Sequence, residues 1–133
     1  MNREDLGKLV LRVTLAAVVL FHGIFKLTHG VEWIKQPLTS HGLPGFLAYG
    51  TYVAEVLAPL LLIVGWKARL AALTIVLDML MAMFLVLRPQ LFAIKGQGGG
   101  GWGVELEAML LLTALTVFLI GSGRYRLGRG VWD

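Results

Sequence analysis

The sequence predicts an all-α integral membrane protein, a bundle of four transmembrane helices. Hydrophobic residues make up 57% of the chain and charged residues 15%, and the mean hydropathy is +0.77. Soluble domains average about 45–50% apolar and about 25% charged residues. Four apolar stretches are each long enough to cross a hydrocarbon core of about 30 Å, which takes about 20 helical residues. They occupy most of the chain, so we expect one transmembrane domain over residues 1–133.

The first apolar stretch, residues 6–27, follows a charged cap at residues 3–5. A cleavable signal peptide is the competing interpretation. The stretch is too long for one, however, and no small-x-small cleavage site follows it. Arg12, His22 and Lys26 also interrupt it. We therefore expect a retained transmembrane helix.

Turn residues separate the other three stretches. Residues 46–66 follow a turn rich in Gly and Pro, and Pro59 is expected to kink this helix and free a carbonyl near Glu55. Residues 70–87 follow a basic turn and stop before Pro89. Residues 103–120 follow a glycine run that lacks the Lys-Ser or Lys-Thr of a phosphate-binding loop. We expect that run to be a flexible outer loop.

Lysine and arginine are distributed unevenly between the two sets of helix ends. One set carries Arg3, Lys8, Lys67, Arg69, Arg124, Arg126 and Arg129, and the opposite loops carry Lys35, Arg88 and Lys95. By the positive-inside rule, both termini are expected to be cytoplasmic. The absence of a targeting extension favours a multi-pass protein of a bacterial plasma (inner) membrane. Basic residues at helix ends, without a basic stripe, argue against nucleic-acid binding.

Ionisable side chains inside the stretches are the candidate functional residues. They are Arg12, His22, Lys26, Glu55, Asp78, Glu105 and Glu107. A charge at the bilayer centre costs about 2.5–3.5 kcal/mol, so such groups turn inward and pair. A rise of about 1.5 Å per residue places Glu55 and Asp78 roughly 15 Å deep, within reach of the long Arg12 stem. The first prediction is a charge network in which Arg12 pairs with Glu55 or Asp78.

A second cluster is predicted in the outer half of the bundle. His22 and Lys26 share one helix face, and Glu105 lies at about the same depth. His22, Lys26 and Glu105 are therefore the candidate binding residues. Glu107, two positions after Glu105, falls on another side of its helix. We expect it to face a neighbouring subunit or an interfacial water.

Other chemistries find little support in the sequence. The chain has no cysteine, so it carries no disulfide or thiol relay of its own. Of its three histidines only His22 lies inside a span, so neither haem nor a metal site is expected. No arrangement of Ser, His and Asp indicates a nucleophilic triad, and no catalytic residue is assigned.

Several motifs in order resemble the DoxX family along essentially the whole chain. Arg12 followed by residues 21–27, FHGIFKL, resembles the family's Arg and Gly-x-x-Lys pattern. Residues 42–44, Glu55 and the segment GWKARLAA at 65–72 are similar to its linked segments, and Glu105 precedes the ending GSGRY at 121–125. That ending departs from the family's Gly-Pro-Gly-Arg-Tyr at Ser122.

The resemblance implies a four-helix inner-membrane protein, some of whose relatives are membrane parts of oxidoreductase assemblies that handle thiol stress or thiosulfate and quinone. We therefore expect a membrane subunit or anchor of a redox complex, with a soluble or membrane oxidoreductase as partner. His22, Lys26 and Glu105 could hydrogen-bond a quinone head group, and Glu55 and Asp78 could supply protons. One alternative is a small transporter or proton-coupled carrier built as a homo-oligomer. Another is a membrane scaffold without a ligand.

Overall fold

The computed structural model describes residues 2–94 and 100–133. Part of the glycine-rich loop, residues 95–99 with Lys95, lies outside the described residues. Helix α1 spans Arg3–His29, α2 spans Glu32–Ser40 and α3 spans Gly45–Val64. Helix α4 spans Ala68–Val86, and α5 spans Glu105–Ile120. The prediction of an all-helical protein is confirmed for the described residues, which contain one isolated β-bridge and no strand.

Three helices, α1, α3 and α4, are long and apolar enough to cross a membrane. Helix α5 is also apolar but has 16 residues. The four long helices pack in a ring, because α1 contacts α3 and α5 while α4 contacts the same two helices from the other side. Leu15, Leu62 and Ile75 are buried at the centre of this ring. Many large side chains on the outer faces are exposed, as expected where lipid surrounds the protein.

Helix α2 was not predicted from the sequence. It is only nine residues long and contains Pro37, so this part of the sequence lacks the long apolar stretch that predicts a transmembrane helix. Ile34 and Leu38 are buried and form a second, smaller core with Val31 and Ala48. Through this core, α2 packs across the first residues of α3 and the last residues of α4, and it covers that end of the bundle.

Two helices each contain one π-helical turn. In α3 the turn covers Val53–Leu57, and in α4 it covers Ala82–Val86. The first lies just before Pro59, which has no amide hydrogen to donate to the Glu55 carbonyl. Single π turns inside α-helices occur frequently at functional sites.

Gly23 of α1 lies directly against this irregular part of α3. A Cβ at position 23 would overlap the backbone carbonyl of Glu55 and approach the Val56 side chain. A residue without a side chain therefore lets the two backbones meet here, as small residues do in membrane bundles.

The segment 121–133 folds back across one end of the bundle. The Leu127 and Gly128 amides donate to the Val64 and Gly65 carbonyls at 3.1 Å each, and the Arg69 amide donates to the Trp132 carbonyl at 2.8 Å. The Asp133 carboxylate accepts hydrogen bonds from the Lys67 and Gly130 amides. Burial alone would raise the pKa of Asp133, but these hydrogen bonds and the charges of Arg126 and Lys67 lower it overall.

We expect Gly23→Ala to destabilise the bundle by about 1–3 kcal/mol, since the added methyl group must push α1 away from α3. Thermal unfolding in mild detergent measures the change. Gly7→Ala is the matched control, because nothing lies within 4 Å of a Cβ placed there. Equal stability of the two variants would contradict the close approach.

The docking of segment 121–133 should weaken in acid. A carboxyl group whose pKa is lowered in the folded state stabilises that state above its unfolded pKa of about 3.9, and the stabilisation is lost as pH falls through the folded value. Hydrogen exchange of the Leu127 and Gly128 amides, corrected for intrinsic rates, should therefore accelerate below about pH 4. In Asp133→Asn this pH dependence should disappear, and an unchanged pH dependence would contradict the assignment.

Candidate functional site

A buried ion pair between Lys26 of α1 and Glu55 of α3 forms the centre of the candidate site. The Lys26 Nζ to Glu55 Oε2 distance is 2.5 Å, and the two side chains are 10% and 3% exposed. The neighbouring contacts of Lys26 come from α3 and α2. Tyr52 donates its hydroxyl to the Lys26 carbonyl at 3.2 Å, and Nζ lies 5.9 Å from the centre of the Trp33 ring. The charge is thus held by a carboxylate and an aromatic face.

A cavity of about 160 Å³ lies beside this ion pair. Its polar lining residues are His22, Lys26, Trp33, Thr51, Glu55, Asp78 and Glu107. Apolar residues of α4, among them Met79 and Ala82, complete the wall, so the second π turn borders the cavity. Helix α2 contributes Trp33 and Ile34, which places this short helix over the cavity.

The cavity contains more acidic than basic groups. Lys26 faces three carboxyl groups and binds Glu55. Within residues 2–94 and 100–133, Asp78 Oδ2 and Glu107 Oε2 are buried and accept no hydrogen bond from a protein donor, while the Asp78 carboxyl group also makes a side-chain hydrogen bond with Glu55. A buried polar atom without a partner costs about 1–3 kcal/mol. A ligand that brings hydrogen-bond donors would recover that cost.

His22 presents one ring nitrogen to this region. Its Nδ1 donates to the Val18 carbonyl at 3.0 Å, which fixes the ring against its own helix. The other nitrogen, Nε2, is then an acceptor in the neutral ring and a donor in the charged ring. A groove of about 380 Å³ starts at His22, Lys26 and Trp33 and continues between Phe21 and Phe25.

The predicted pairing of Arg12 with Glu55 or Asp78 is wrong. Arg12 is 1% exposed and donates to the Ser122 carbonyl at 2.9 Å and the Tyr125 carbonyl at 2.7 Å. Lys26 lies 14 residues further along α1, roughly 21 Å from Arg12 along the helix axis and near the level of Glu55. Arg12 instead anchors the segment after α5, whose carbonyls are nearer than either acid.

The structure brings together two of the three residues of the predicted cluster. His22 and Lys26 both line the cavity. Glu105 is exposed and lies beside Gly101, whereas Glu107, which we expected to face a neighbouring subunit or an interfacial water, lines the cavity. Glu105 is the first residue of α5, and the two glutamates point about 200° apart around the helix. Sequence reasoning also missed Trp33 and Thr51, which gave no signal beyond their positions near helix ends.

A metal centre is not indicated by the geometry. In the part of the chain that the structure describes, no group of three or more His, Cys, Asp or Glu side chains could hold a metal ion. The arrangement is suited to binding a small molecule by hydrogen bonds in an apolar, largely water-free environment.

Lys26→Met should lower the stability by about 3–5 kcal/mol, because it leaves the Glu55 carboxylate buried without its partner. Adding Glu55→Gln to it should restore part of the loss, and thermal unfolding in detergent measures both. Lys35→Met is the matched control, since Lys35 pairs at 2.8 Å with Glu32, whose side chain is 76% exposed. Such surface pairs contribute about 0–1 kcal/mol. A double variant as unstable as the sum of its single variants would contradict a coupled pair.

Comparison with known proteins places the chain in a family. Residues 7–88 match the family model described as DoxX. The chain is 30% identical to the "Putative oxidoreductase CatD" of Bacillus subtilis (strain 168) over 123 residues, which are 92% of this chain and 85% of the relative. No solved structure matches it significantly. The chain therefore belongs to the DoxX family, which its sequence motifs resemble.

Proposed function

We propose that this protein is a membrane subunit or anchor of an oxidoreductase assembly and that its cavity binds a quinone head group. The observation that carries the proposal is the cavity of about 160 Å³ beside the Lys26–Glu55 pair, with two unpartnered carboxyl oxygens at its wall. The family and the name of the bacterial relative support a redox context.

The side chains around the cavity suit both oxidation states of such a head group. Lys26 Nζ and a charged His22 ring can donate to quinone carbonyls, as the sequence predicts for these two residues. Asp78 Oδ2 and Glu107 Oε2 can accept from the hydroxyls of the reduced form. A bound quinone would supply the electron-carrying group, and this chain would bind it, orient it and exclude water. In this proposal Glu107 has the role at the head group that the sequence predicted for Glu105.

The proposal includes a topology. Helix α5 crosses the membrane as a fourth span together with α1, α3 and α4, and both termini are cytoplasmic. The distribution of lysine and arginine supports this, because Lys8, Arg69 and Arg126 lie at one end of the bundle and Lys35 and Arg88 at the other. The cavity then opens in the outer half of a bacterial plasma membrane. A soluble or membrane oxidoreductase, or a second copy of the chain, would complete the assembly.

Mass spectrometry of the protein purified in mild detergent tests the quinone site. The wild type should retain a quinone, and an ultraviolet redox-difference spectrum should show it. Glu107→Gln should lower the amount retained under reducing conditions, where the ligand is the hydroquinone, by about tenfold, the equivalent of losing roughly 1.4 kcal/mol from one charge-assisted hydrogen bond.

Glu105→Gln is the matched control, because it makes the same change two residues away on an exposed side chain. It should leave the retained quinone unchanged. A wild type that carries only phospholipid, with no difference among the three proteins, would contradict the quinone site and favour a scaffold.

A further inference from the structure

A second groove lies on the outer face of the bundle between α3 and α4. It has a volume of about 440 Å³ and is lined mostly by apolar side chains. Gly50 and Ala54 form part of its floor, and Val53 and Leu77 are exposed at 48% and 59% on its rim. In a bilayer this groove faces the acyl chains, so an apolar ligand can enter it from the side.

This groove adjoins the acidic cavity. Thr51, Asp78 and Met81 line both of them. The Asp78 side chain is therefore the polar group at the junction. Asp78 is 7% exposed, and its Oδ2 has no hydrogen-bond partner among the described residues. Asp78 also makes a side-chain hydrogen bond with Glu55, so an apolar chain lying in the groove would end beside the polar centre of the cavity.

The groove also continues along the helices in the other direction. A smaller groove of about 110 Å³ shares Val53 and Thr74 with it and extends to Leu61 and Leu70. Together they form a narrow apolar track, from Leu47 to Leu61 along α3, that starts at the acidic cavity. Small residues at 50, 54, 58 and 71 keep the track open.

We propose that this track binds the apolar chain of the ligand whose head group occupies the cavity. The inference rests on the proposed function and adds the path of the chain: an isoprenoid or alkyl tail passes Asp78 and lies between α3 and α4. A transmembrane helix of a partner is about 10–12 Å across, so it cannot follow the track past Thr51 into a cavity of about 160 Å³. A single hydrocarbon chain can.

Binding of two quinones that share a head group tests the proposal. One is a tailless benzoquinone and the other carries a decyl chain. In the wild type the decyl compound should bind about tenfold more tightly, because its methylene groups make many dispersion contacts with the track.

Two variants fill the track without touching the cavity. Gly50 has a helical φ of −61° and nothing within 4 Å of a Cβ placed there, so Gly50→Leu extends into open space. Val53→Phe enlarges a side chain that lines both grooves of the track. Both variants should lose most of the tenfold advantage of the decyl compound and keep the wild-type affinity for the tailless one. Gly7→Leu, at an open position on α1, is the matched control and should behave as the wild type.

The outcomes separate this inference from the proposed function. If the wild type binds the tailless quinone but the decyl advantage survives in both track variants, the tail lies elsewhere or in the detergent, and the inference fails alone. If the wild type binds neither compound, the proposed function fails and the inference with it.

Discussion

The buried ion pair between Lys26 and Glu55 is the constraint on which the arrangement around the cavity depends. A lysine and a glutamate inside an apolar bundle must meet, since each alone would cost several kcal/mol. Their 2.5 Å contact needs α1 and α3 to approach closely, and Gly23 permits this approach one turn before Lys26. Pro59 and the π turn at Val53–Leu57 shape the same part of α3. The close backbone approach at Gly23 and the Lys26–Glu55 ion pair therefore favour the same packing of α1 against α3.

In that arrangement Lys26 pairs with one carboxyl group, and two further carboxyl groups line the cavity. Once Lys26 is bound to Glu55, Asp78 and Glu107 face the cavity with unpartnered oxygens. A core selected only for stability would satisfy or remove such atoms, because each lost hydrogen bond is costly in a low-dielectric interior. Helix α2 adds Trp33 as a cover, and two grooves lead from the cavity toward the lipid. At the opposite end of the bundle, Arg12 binds backbone carbonyls of the segment 121–133.

Composition and motif order were sufficient to predict the helical class and the DoxX family, because both depend on many residues at once. Depth along a helix was also a useful guide, since it placed Glu55 and Asp78 at the same level and both line the cavity. The direction in which a side chain points around its helix axis could not be predicted from the sequence. An error of two residues turns a side chain by about 200°, which exchanged Glu105 for Glu107. Arg12 binds a segment that is not helical, and α2 is held by a small core of four buried residues. Neither feature leaves a periodic pattern in the sequence.

Solid-state NMR in lipid bilayers can test the central ion pair directly, by measuring the dipolar coupling between lysine ¹⁵Nζ and glutamate ¹³Cδ. Lys8–Glu4 and Lys35–Glu32 also give such couplings, so the comparison is between the wild type and Glu55→Gln. The account predicts a short-range coupling at Lys26 that is present in the wild type and absent in the variant. A spectrum that does not change with Glu55→Gln, or a coupling of Arg12 to the Glu55 carboxylate, would contradict it.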